Sequence, residues 1–368
     1  MSETVGGEMR TSTATFDAAG RAVRSTINVT DPSLGRALPE VRMVYSAETG
    51  LQTDVQTLAD NQPTATIERE YDELGRITAY VDETGNRSTT TYDIADRVVS
   101  RSDGKGSSTT LYDEGGERRG LPTSLVDSQA GTFTAVWDAE RQLEAQVYPN
   151  GVGGTYDYDS VGNVAKLSYT APSWGVTLAD VVTPNAHGEW AARVVANSKQ
   201  VFDFDKVGRL VQVASTPNVG GCTTRRYDYD ANSNRTALTS WGSDPDGECV
   251  TIGSGDEETR TYDAADRLID TGFGYDPLGR ITGVPSADAG GAGLETEYFA
   301  NDMVAAQTQA GRTLTWELDP ARRLSSWEDS IDSSTHVNHY SCDCDGPSWI
   351  ADGVAWSRYV PGFDGGLA

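Results

Sequence analysis

The chain has 368 residues and a formal net charge of -26, from 55 acidic and 29 basic side chains. A surface of this charge repels phosphate backbones, which argues against nucleic acid as a partner. No stretch approaches the roughly 18 consecutive apolar residues of a membrane span, and the opening "MSETVGGEMR" lacks the apolar segment of a secretory signal. The 39 glycines, with many Thr, Ser, Asp and Asn, favour short strands joined by tight turns.

One short motif recurs along the chain: an aromatic residue, Asp, two variable residues, Gly or Asp, then Arg or Asn. "YDELGR" at 71–76 and "YDPLGR" at 275–280 are two copies. The copies recur roughly every 21 residues, and the gap from Tyr158 to Phe204 is about two periods, which predicts a degenerate copy there. Clear copies begin at Phe16, Tyr71, Tyr92, Tyr112, Tyr158, Phe204, Tyr262 and Tyr275, and weaker ones at Trp137, Tyr229 and Leu318.

Each repeat predicts one β-hairpin. In "YDELGRITAYVDETGNRSTTT", the first hexapeptide predicts a turn, because Asp caps backbone amides and Gly takes positive φ. The next residues alternate, with Ile77, Ala79 and Val81 on one face and Tyr80 on the other, as in a strand. "DETGN" is a second turn, and a Thr-rich strand follows. A lone hairpin is marginally stable, but stacked hairpins bury one face continuously, as in a solenoid.

The repeats run through the whole chain. In order, they are degenerate at 1–66, clear at 67–165, degenerate at 166–199, clear at 200–285 and degenerate at 286–368. No Pro/Ser linker or block of like charge marks a boundary between them. We therefore predict an all-β fold of repeated antiparallel β-hairpins, arranged as a single array over 1–368.

The motif positions are predicted to be structural, because a catalytic pair is needed once whereas this pairing recurs. Tyr71 is expected to pack between rungs, Asp72 to hold the turn, Gly75 to permit its backbone and Arg76 to bridge to the next rung. The residues given this role are Tyr71, Asp72, Gly75, Arg76, Tyr92, Asp93, Arg97, Tyr158, Asp159, Gly162, Phe204, Asp205, Gly208, Arg209, Tyr262, Asp263, Arg267, Tyr275, Asp276, Gly279 and Arg280.

The four cysteines fall into two pairs. Cys222 and Cys249 flank a predicted hairpin whose strands bring the thiols together, so we predict a disulfide and an oxidising compartment. Cys342 and Cys344 flank a single residue. In a strand they would face the same side about 6–7 Å apart, too far for an easy bond, and we expect them to be free or metal-prone.

Other chemistry is weakly indicated. The acidic stretches at 244–248, 253–258 and 342–346 resemble loose calcium loops without the full ligand spacing, and we expect solvated loops. His336 and His339 would lie on opposite faces of a strand. No nucleophile elbow or phosphate-binding loop occurs. We predict no metal site, no cofactor and no catalysis.

The repeated YDxxGR pattern resembles the YD repeat of RHS-repeat proteins. Supporting phrases are "YDELGRITAYVDETGNRSTTTYD", "YDAADRLIDTGFGYDPLGRITGV" and "YDYDANSNRT". The resemblance covers essentially the whole chain, and its style is most similar to the large cell-wall-associated RHS proteins of actinobacteria.

The resemblance implies a β-sheet that spirals into a hollow cocoon. Such a shell encloses or displays a C-terminal toxin or other partner polypeptide and acts in intercellular competition, as a secreted or cell-surface protein. The chain stops at "RYVPGFDGGLA" without the self-cleaving segment of that family, so it resembles a middle-to-late stretch of a shell. The alternative is a cell-surface module that binds carbohydrate or cell wall through exposed Trp and Tyr.

Overall fold

The computed structural model describes residues 2–5 and 8–365. Over these residues the fold is all-β, with 31 strands and no α-helix. Two single-turn 3-10 helices interrupt the strands, at Pro32–Leu34 and Pro172–Trp174. No helix in the described part of the chain is long and apolar enough to cross a membrane.

The strands form two antiparallel sheets. The first contains β1 (Ser2–Val5), β2 (Glu8–Phe16), β3 (Ala22–Val29), β4 (Glu40–Tyr45), β5 (Gln52–Ala59), β6 (Gln62–Tyr71), β7 (Ile77–Val81), β8 (Arg87–Tyr92), β9 (Val98–Ser102), β10 (Ser107–Tyr112), β11 (Pro122–Asp127), β12 (Gly131–Trp137), β13 (Leu143–Val147), β14 (Gly153–Tyr158), β15 (Val164–Ala171), β16 (Val176–Pro184), β17 (Trp190–Val195), β18 (Ser198–Phe204), β19 (Leu210–Pro217), β20 (Thr223–Tyr229), β21 (Arg235–Trp241) and β22 (Asp256–Thr259). The second contains β23 (Gly274–Tyr275), β24 (Ile281–Val284), β25 (Leu294–Tyr298), β26 (Val304–Gln309), β27 (Arg312–Leu318), β28 (Leu324–Asp329), β29 (Thr335–His339), β30 (Trp349–Asp352) and β31 (Ala355–Arg358).

Within each sheet, strands that are neighbours in sequence pair with one another. The register between β6 and β7, for example, sets Glu68 opposite Val81 and Glu70 opposite Ala79. Because successive strands are antiparallel, their connecting turns lie alternately at the two ends of the strands. We call the strand ends that carry the recurring hexapeptide the motif rim. The other strand ends, joined by turns such as 82–86, 103–106 and 172–175, are the opposite rim.

A β-bulge accompanies the recurring turn. The register shifts at the aromatic residue that opens the motif, as between Glu70 and Tyr71 and between Thr91 and Tyr92. A bulge adds a residue to one strand and increases the local twist. The same shift recurs before Tyr45, Trp137, Pro184 and many other motif positions. Regular bulging at one rim is a reason for the sheet to curve steadily.

The second sheet returns to lie against the first. The backbones of Arg36 and Phe299 form a parallel β-bridge, and Tyr340 packs in a buried cluster with Ile67 and Tyr80. Further along, Phe363 packs against the cluster around Tyr156. The motif rim of β23–β31 thus lies on the opposite rim of β3–β14, and we call this contact the seam.

Candidate functional site

In the recurring turn, the Asp carboxylate accepts three hydrogen bonds. In the copy at 71–76, Asp72 Oδ1 accepts hydrogen bonds from the amides of Leu74 and Arg76, each at 3.0 Å. Asp72 Oδ2 accepts from Arg76 Nε at 2.7 Å. Gly75 has φ +79°, a left-handed conformation that Gly adopts without the strain of a Cβ. The turn is therefore built by the Asp, the Gly and the Arg together.

The Arg of one turn also contacts the next repeat. The guanidinium carbon of Arg76 lies 4.6 Å from the ring centroid of Tyr92, within range of a cation–π interaction. Arg76 Nη1 donates to the carbonyl of Asp93 at 3.4 Å, and the Tyr92 hydroxyl donates back to the carbonyl of Ile77 at 2.9 Å. Each copy thus joins two adjacent hairpins as well as closing its own turn.

The same contacts recur along both sheets. The intra-turn ion pair forms in Asp17–Arg21, Asp72–Arg76, Asp93–Arg97, Asp205–Arg209, Asp263–Arg267, Asp276–Arg280 and Asp319–Arg323. The guanidinium faces the next aromatic ring in Arg21–Tyr45, Arg97–Tyr112, Arg209–Tyr229, Arg267–Tyr275, Arg280–Tyr298 and Arg323–Tyr340. An active site recurring seven times in one chain is not expected, so these contacts favour a structural role.

Other predicted positions show variants of this arrangement. Asp159 accepts from the amide of Asn163, which replaces the Arg, and Gly162 has φ +89°. Gly208 and Gly279 likewise have positive φ. The hydroxyls of Tyr71, Tyr158 and Tyr262 donate to the carbonyls of Gln52, Leu143 and Arg235 in the preceding hairpin. Phe204 lacks the hydroxyl but occupies the same bulge.

Hydrogen bonding stabilises the charged form of the turn acids. The pKa of Asp72 is lowered, first by the hydrogen bond from the Arg76 amide. The pKa of Asp263 is lowered first by the side chain of Arg267. The pKa of Arg76 is raised, first by its hydrogen bond to Asp72. Both partners therefore remain charged at neutral pH, which suits a permanent ion pair rather than a proton-transfer pair. We call this Asp–Arg pair within one turn the turn clamp.

Some turns on the motif rim have no recognisable hexapeptide. Between Tyr158 and Phe204 the equivalent turn is 185–189, where Asn185 accepts from the amides of His187 and Glu189. At 46–50 the hydroxyl of Ser46 accepts from the amide of Thr49 instead. At 299–303 the amide of Phe299 donates to the carbonyl of Met303 at 2.7 Å. Asn and Ser cap turns as Asp does, so a pattern that allows them could have found the first two.

The seam contains several buried polar side chains. Arg69, which is 6% exposed, binds the carboxylate of Asp343 through Nε and Nη2. Arg323 Nη2 donates to the Tyr80 hydroxyl at 2.7 Å. Burial, the first cause, raises the pKa of Tyr80 to about 12. These contacts bridge 274 and 243 positions of sequence and were not predicted.

Further along the seam, aromatic and charged side chains of the second sheet contact turns of the first sheet. His339 stacks on Trp349 at 3.6 Å between ring centroids, and its Nδ1 lies 2.8 Å from Asp82 Oδ2. Trp349 Nε1 donates to the carbonyl of Asp103 at 2.9 Å. Arg358, which also binds Asp103, reaches Asp127. The second sheet is therefore anchored at successive turns of the first.

The pKa of one carboxyl group in the seam is strongly raised. Burial is the main reason that the pKa of Glu83 is raised to about 7, and the charges of Asp319 and Asp82 raise it further. A hydrogen bond with Ser325 and the charge of Arg323 partly oppose this shift. Glu83 is therefore partly protonated near neutral pH.

The structure joins Cys222 and Cys249 by a disulfide, with 4.9 Å between their Cα atoms. The expectation for the second pair was wrong: Cys342 and Cys344 also form a disulfide, with Cα atoms 5.2 Å apart. The expected distance assumed a strand, whereas these residues lie in the loop between β29 and β30, and the bend brings the thiols within bonding range. Asp343, in the acidic stretch expected to be solvated, binds Arg69 while its own side chain remains 47% exposed.

His336 and His339 stack on different tryptophans: His336 on Trp327 at 3.5 Å between ring centroids, and His339 on Trp349. Within the described ranges, no three His, Cys, Asp or Glu residues are grouped so that they could hold a metal ion. The side chains that the sequence suggested for sugar stacking are dispersed, with Trp174 75% and Trp190 50% exposed.

The segment that begins with "YDELGR" resembles a known repeat family. Residues 71–108 match the model of the RHS Repeat family. The chain contains an RHS repeat. The matched segment includes two complete copies of the turn clamp described above, Asp72–Arg76 and Asp93–Arg97. No curated protein matches the chain.

Some solved structures align with most of this chain at low identity. The crystal structure of TcdB2-TccC3 aligns with 96% of this chain at 13% identity and a TM-score of 0.44, over 24% of its own length. A Tc holotoxin pore from Photorhabdus luminescens aligns with 96% of the chain at 12% identity and a TM-score of 0.34, over 26% of its length. The chain therefore spans about a quarter of the length of each of these proteins.

Proposed function

We propose that this chain is a non-catalytic wall segment of an RHS-type shell. The observation that carries the proposal is the seam, in which turns about 250 positions apart in the chain lie side by side along several strands. A sheet that winds back onto its own rim makes a continuous wall. The clamps of the motif rim, repeated at each rung, suit a wall that must hold its curvature.

The wall is proposed to enclose or display a partner polypeptide, such as a toxin used in intercellular competition. Two disulfides support action outside the reducing cytoplasm, because such bonds persist in oxidising compartments. A secreted or cell-surface location fits this chemistry. The single array over 1–368 is part of the same proposal, with the seam as the link between its two sheets.

A reporter polypeptide tests enclosure directly. An unfolded, protease-sensitive peptide is fused after Ala368, and its cleavage is timed against the free peptide. We expect slower cleavage on the wild-type chain, and faster cleavage when Arg69→Glu opens the seam. The matched control is Arg101→Glu, at an exposed arginine of β9, which should leave the protection intact.

Equal cleavage of the fused and the free reporter would overturn the proposal. Far-ultraviolet circular dichroism of each variant distinguishes an opened wall from an unfolded chain. The carbohydrate-binding alternative stays a prediction, and a glycan array with Trp174→Ala and Trp190→Ala variants tests it.

A further inference from the structure

The motif rim of the first sheet lies outside the seam, and we call it the free rim. It carries exposed apolar side chains at the tips of some of its turns. These residues stand between the Asp and the positive-φ residue of their motifs. Successive members lie about one, three and two repeats apart along the chain. They are Leu74, Ile94, Val161 and Val207, with exposures of 72%, 107%, 79% and 75%.

The seam shows what covers such tips. Where β23–β31 meet the first sheet, two residues that stand before the positive-φ position of their turns are covered: Ala300 is 1% exposed and Pro320 is less than 2% exposed. The clamps there are buried as well. The side chains of Asp319 and Arg323 are 2% and 9% exposed, against 23% and 25% for Asp72 and Arg76 on the free rim. A motif rim is therefore covered when it lies on an opposite rim.

The opposite rim is covered along only part of its length. At the far end of the seam, Tyr156 binds Asp364 and Gln146 accepts from the Phe363 amide. The next turn on the same rim holds Trp174, which is 75% exposed. The following turns carry Val219 and Ile252, at 91% and 81%. This uncovered stretch continues the surface that accepts the motif rim within the molecule.

We propose that a second copy of this chain docks here. The motif rim of one copy, with Leu74, Ile94 and Val207 at its turn tips, lies on the opposite rim of another copy, around Trp174, Val219 and Ile252. The contact repeats the seam between molecules. It joins two different surfaces of the same chain, so it is heterologous and continues from copy to copy. Burial of the apolar tips supplies the driving force.

The charge of the chain opposes this assembly. Two copies, each with a net charge of -26, repel one another at low ionic strength, and added salt screens the repulsion. Assembly is therefore expected to increase with protein concentration and with salt. The inference rests on the seam geometry and not on an enclosed partner, so it and the proposed function can fail separately.

Multi-angle light scattering of the purified chain tests the proposal. The wild-type molar mass should rise beyond that of a dimer with concentration. The motif-rim variant Leu74→Asp/Ile94→Asp/Val207→Asp and the opposite-rim variant Trp174→Asp/Val219→Asp/Ile252→Asp should each remain monomeric. Mixed together, they should form a dimer that does not grow, because each retains one intact rim.

The control variant is Val136→Asp/Val147→Asp, which replaces exposed valines on strands β12 and β13 and should assemble like the wild type. Dimer formation in the mixture also shows that both rim variants are folded. A wild-type chain that stays monomeric at high salt and high concentration would overturn the proposal. Unchanged assembly of either rim variant, or assembly that stops at a wild-type dimer, would also overturn it.

Discussion

The guanidinium of Arg69 is bound by the carboxylate of Asp343, which lies 274 positions later in the chain, in a loop between two strands of the other sheet. Burial lowers the pKa of Arg69, but the hydrogen bond and charge of Asp343 outweigh it and leave the pKa raised. Asp343 stands between Cys342 and Cys344, whose disulfide closes the loop. The carbonyls of both cysteines accept hydrogen bonds from Arg323 Nη1. One loop thus ties two arginines of the seam together.

Gly35→Ala should open the start of the seam. A Cβ on Gly35 would lie 2.8 Å from the carbonyl carbon and oxygen of Phe299, so the two backbones must separate. Gly291 is the matched control: its φ of +112° is close to the +120° of Gly35, and an added Cβ meets nothing within 4 Å. Both substitutions place a side chain at a strongly positive φ, which costs on the order of 1–3 kcal/mol. We expect Gly35→Ala to lose roughly 1–3 kcal/mol more in urea unfolding; equal losses would argue against the close approach.

Arg323→Lys should destabilise more than Arg97→Lys. Arg323 holds Asp319, Tyr80 and two loop carbonyls, and its guanidinium lies 3.8 Å from the Tyr340 ring centroid. A lysine ammonium cannot reproduce the planar fork that makes these contacts. We expect a loss of about 2–3 kcal/mol in the free energy of unfolding for Arg323→Lys. Arg97 makes the same clamp at the exposed rim, and its replacement should shift the urea midpoint less. A larger shift for Arg97→Lys would contradict the account of the seam.

Glu83 should make stability fall as the pH rises. Its pKa is raised from the usual 4.5 to about 7 in the folded chain, so folding favours the protonated form. The stabilisation is complete below pH 4.5 and is lost as the pH rises through about 7. Glu83→Gln removes this titration, and the wild-type minus variant difference in unfolding free energy should decrease across that window. The difference isolates Glu83 from Asp82, Asp319 and Arg323 nearby; a difference that is flat or increases with pH would refute the assignment.

The two disulfides should differ in their contribution to stability. Cys222 and Cys249 are 27 positions apart, and Cys342 and Cys344 are two apart. In the loop-entropy model the larger loop contributes about 3.5 kcal/mol and the smaller roughly 1.5 kcal/mol. Paired Cys→Ser variants, unfolded in urea without reductant, give both values. The larger loss is expected from Cys222→Ser/Cys249→Ser, and the reverse order would show that the loop around Asp343 dominates.

The recurring turns could be predicted from the local sequence motif. Asp72, Gly75 and Arg76 are adjacent in sequence, and their contacts lie within one turn and its neighbour. Local chemistry therefore determines them, and repetition identifies them as structural. The equivalent turn at 46–50 was missed because Ser46 caps it without an Asp.

The seam could not be predicted in the same way. Its partners, such as Tyr80 and Arg323, are separated by most of the length of the chain, and no local pattern pairs them. The alternation of β7 places Tyr80 on the face opposite Ile77, Ala79 and Val81. Tyr80 is nevertheless 1% exposed, because the second sheet covers it. The Cys342–Cys344 bond was missed for a related reason, since a strand geometry was assumed for a loop that bends to reach Arg69.

A double-mutant cycle on Arg69 and Asp343 tests the central claim most directly. Arg69→Met, Asp343→Asn and the double variant are unfolded in urea, and the coupling free energy is taken from the four values. If the sheet winds back on itself, the two residues are in contact, and we predict a coupling of roughly 1–3 kcal/mol. A coupling near zero, with every variant folded, would mean that the two sheets do not meet at this seam.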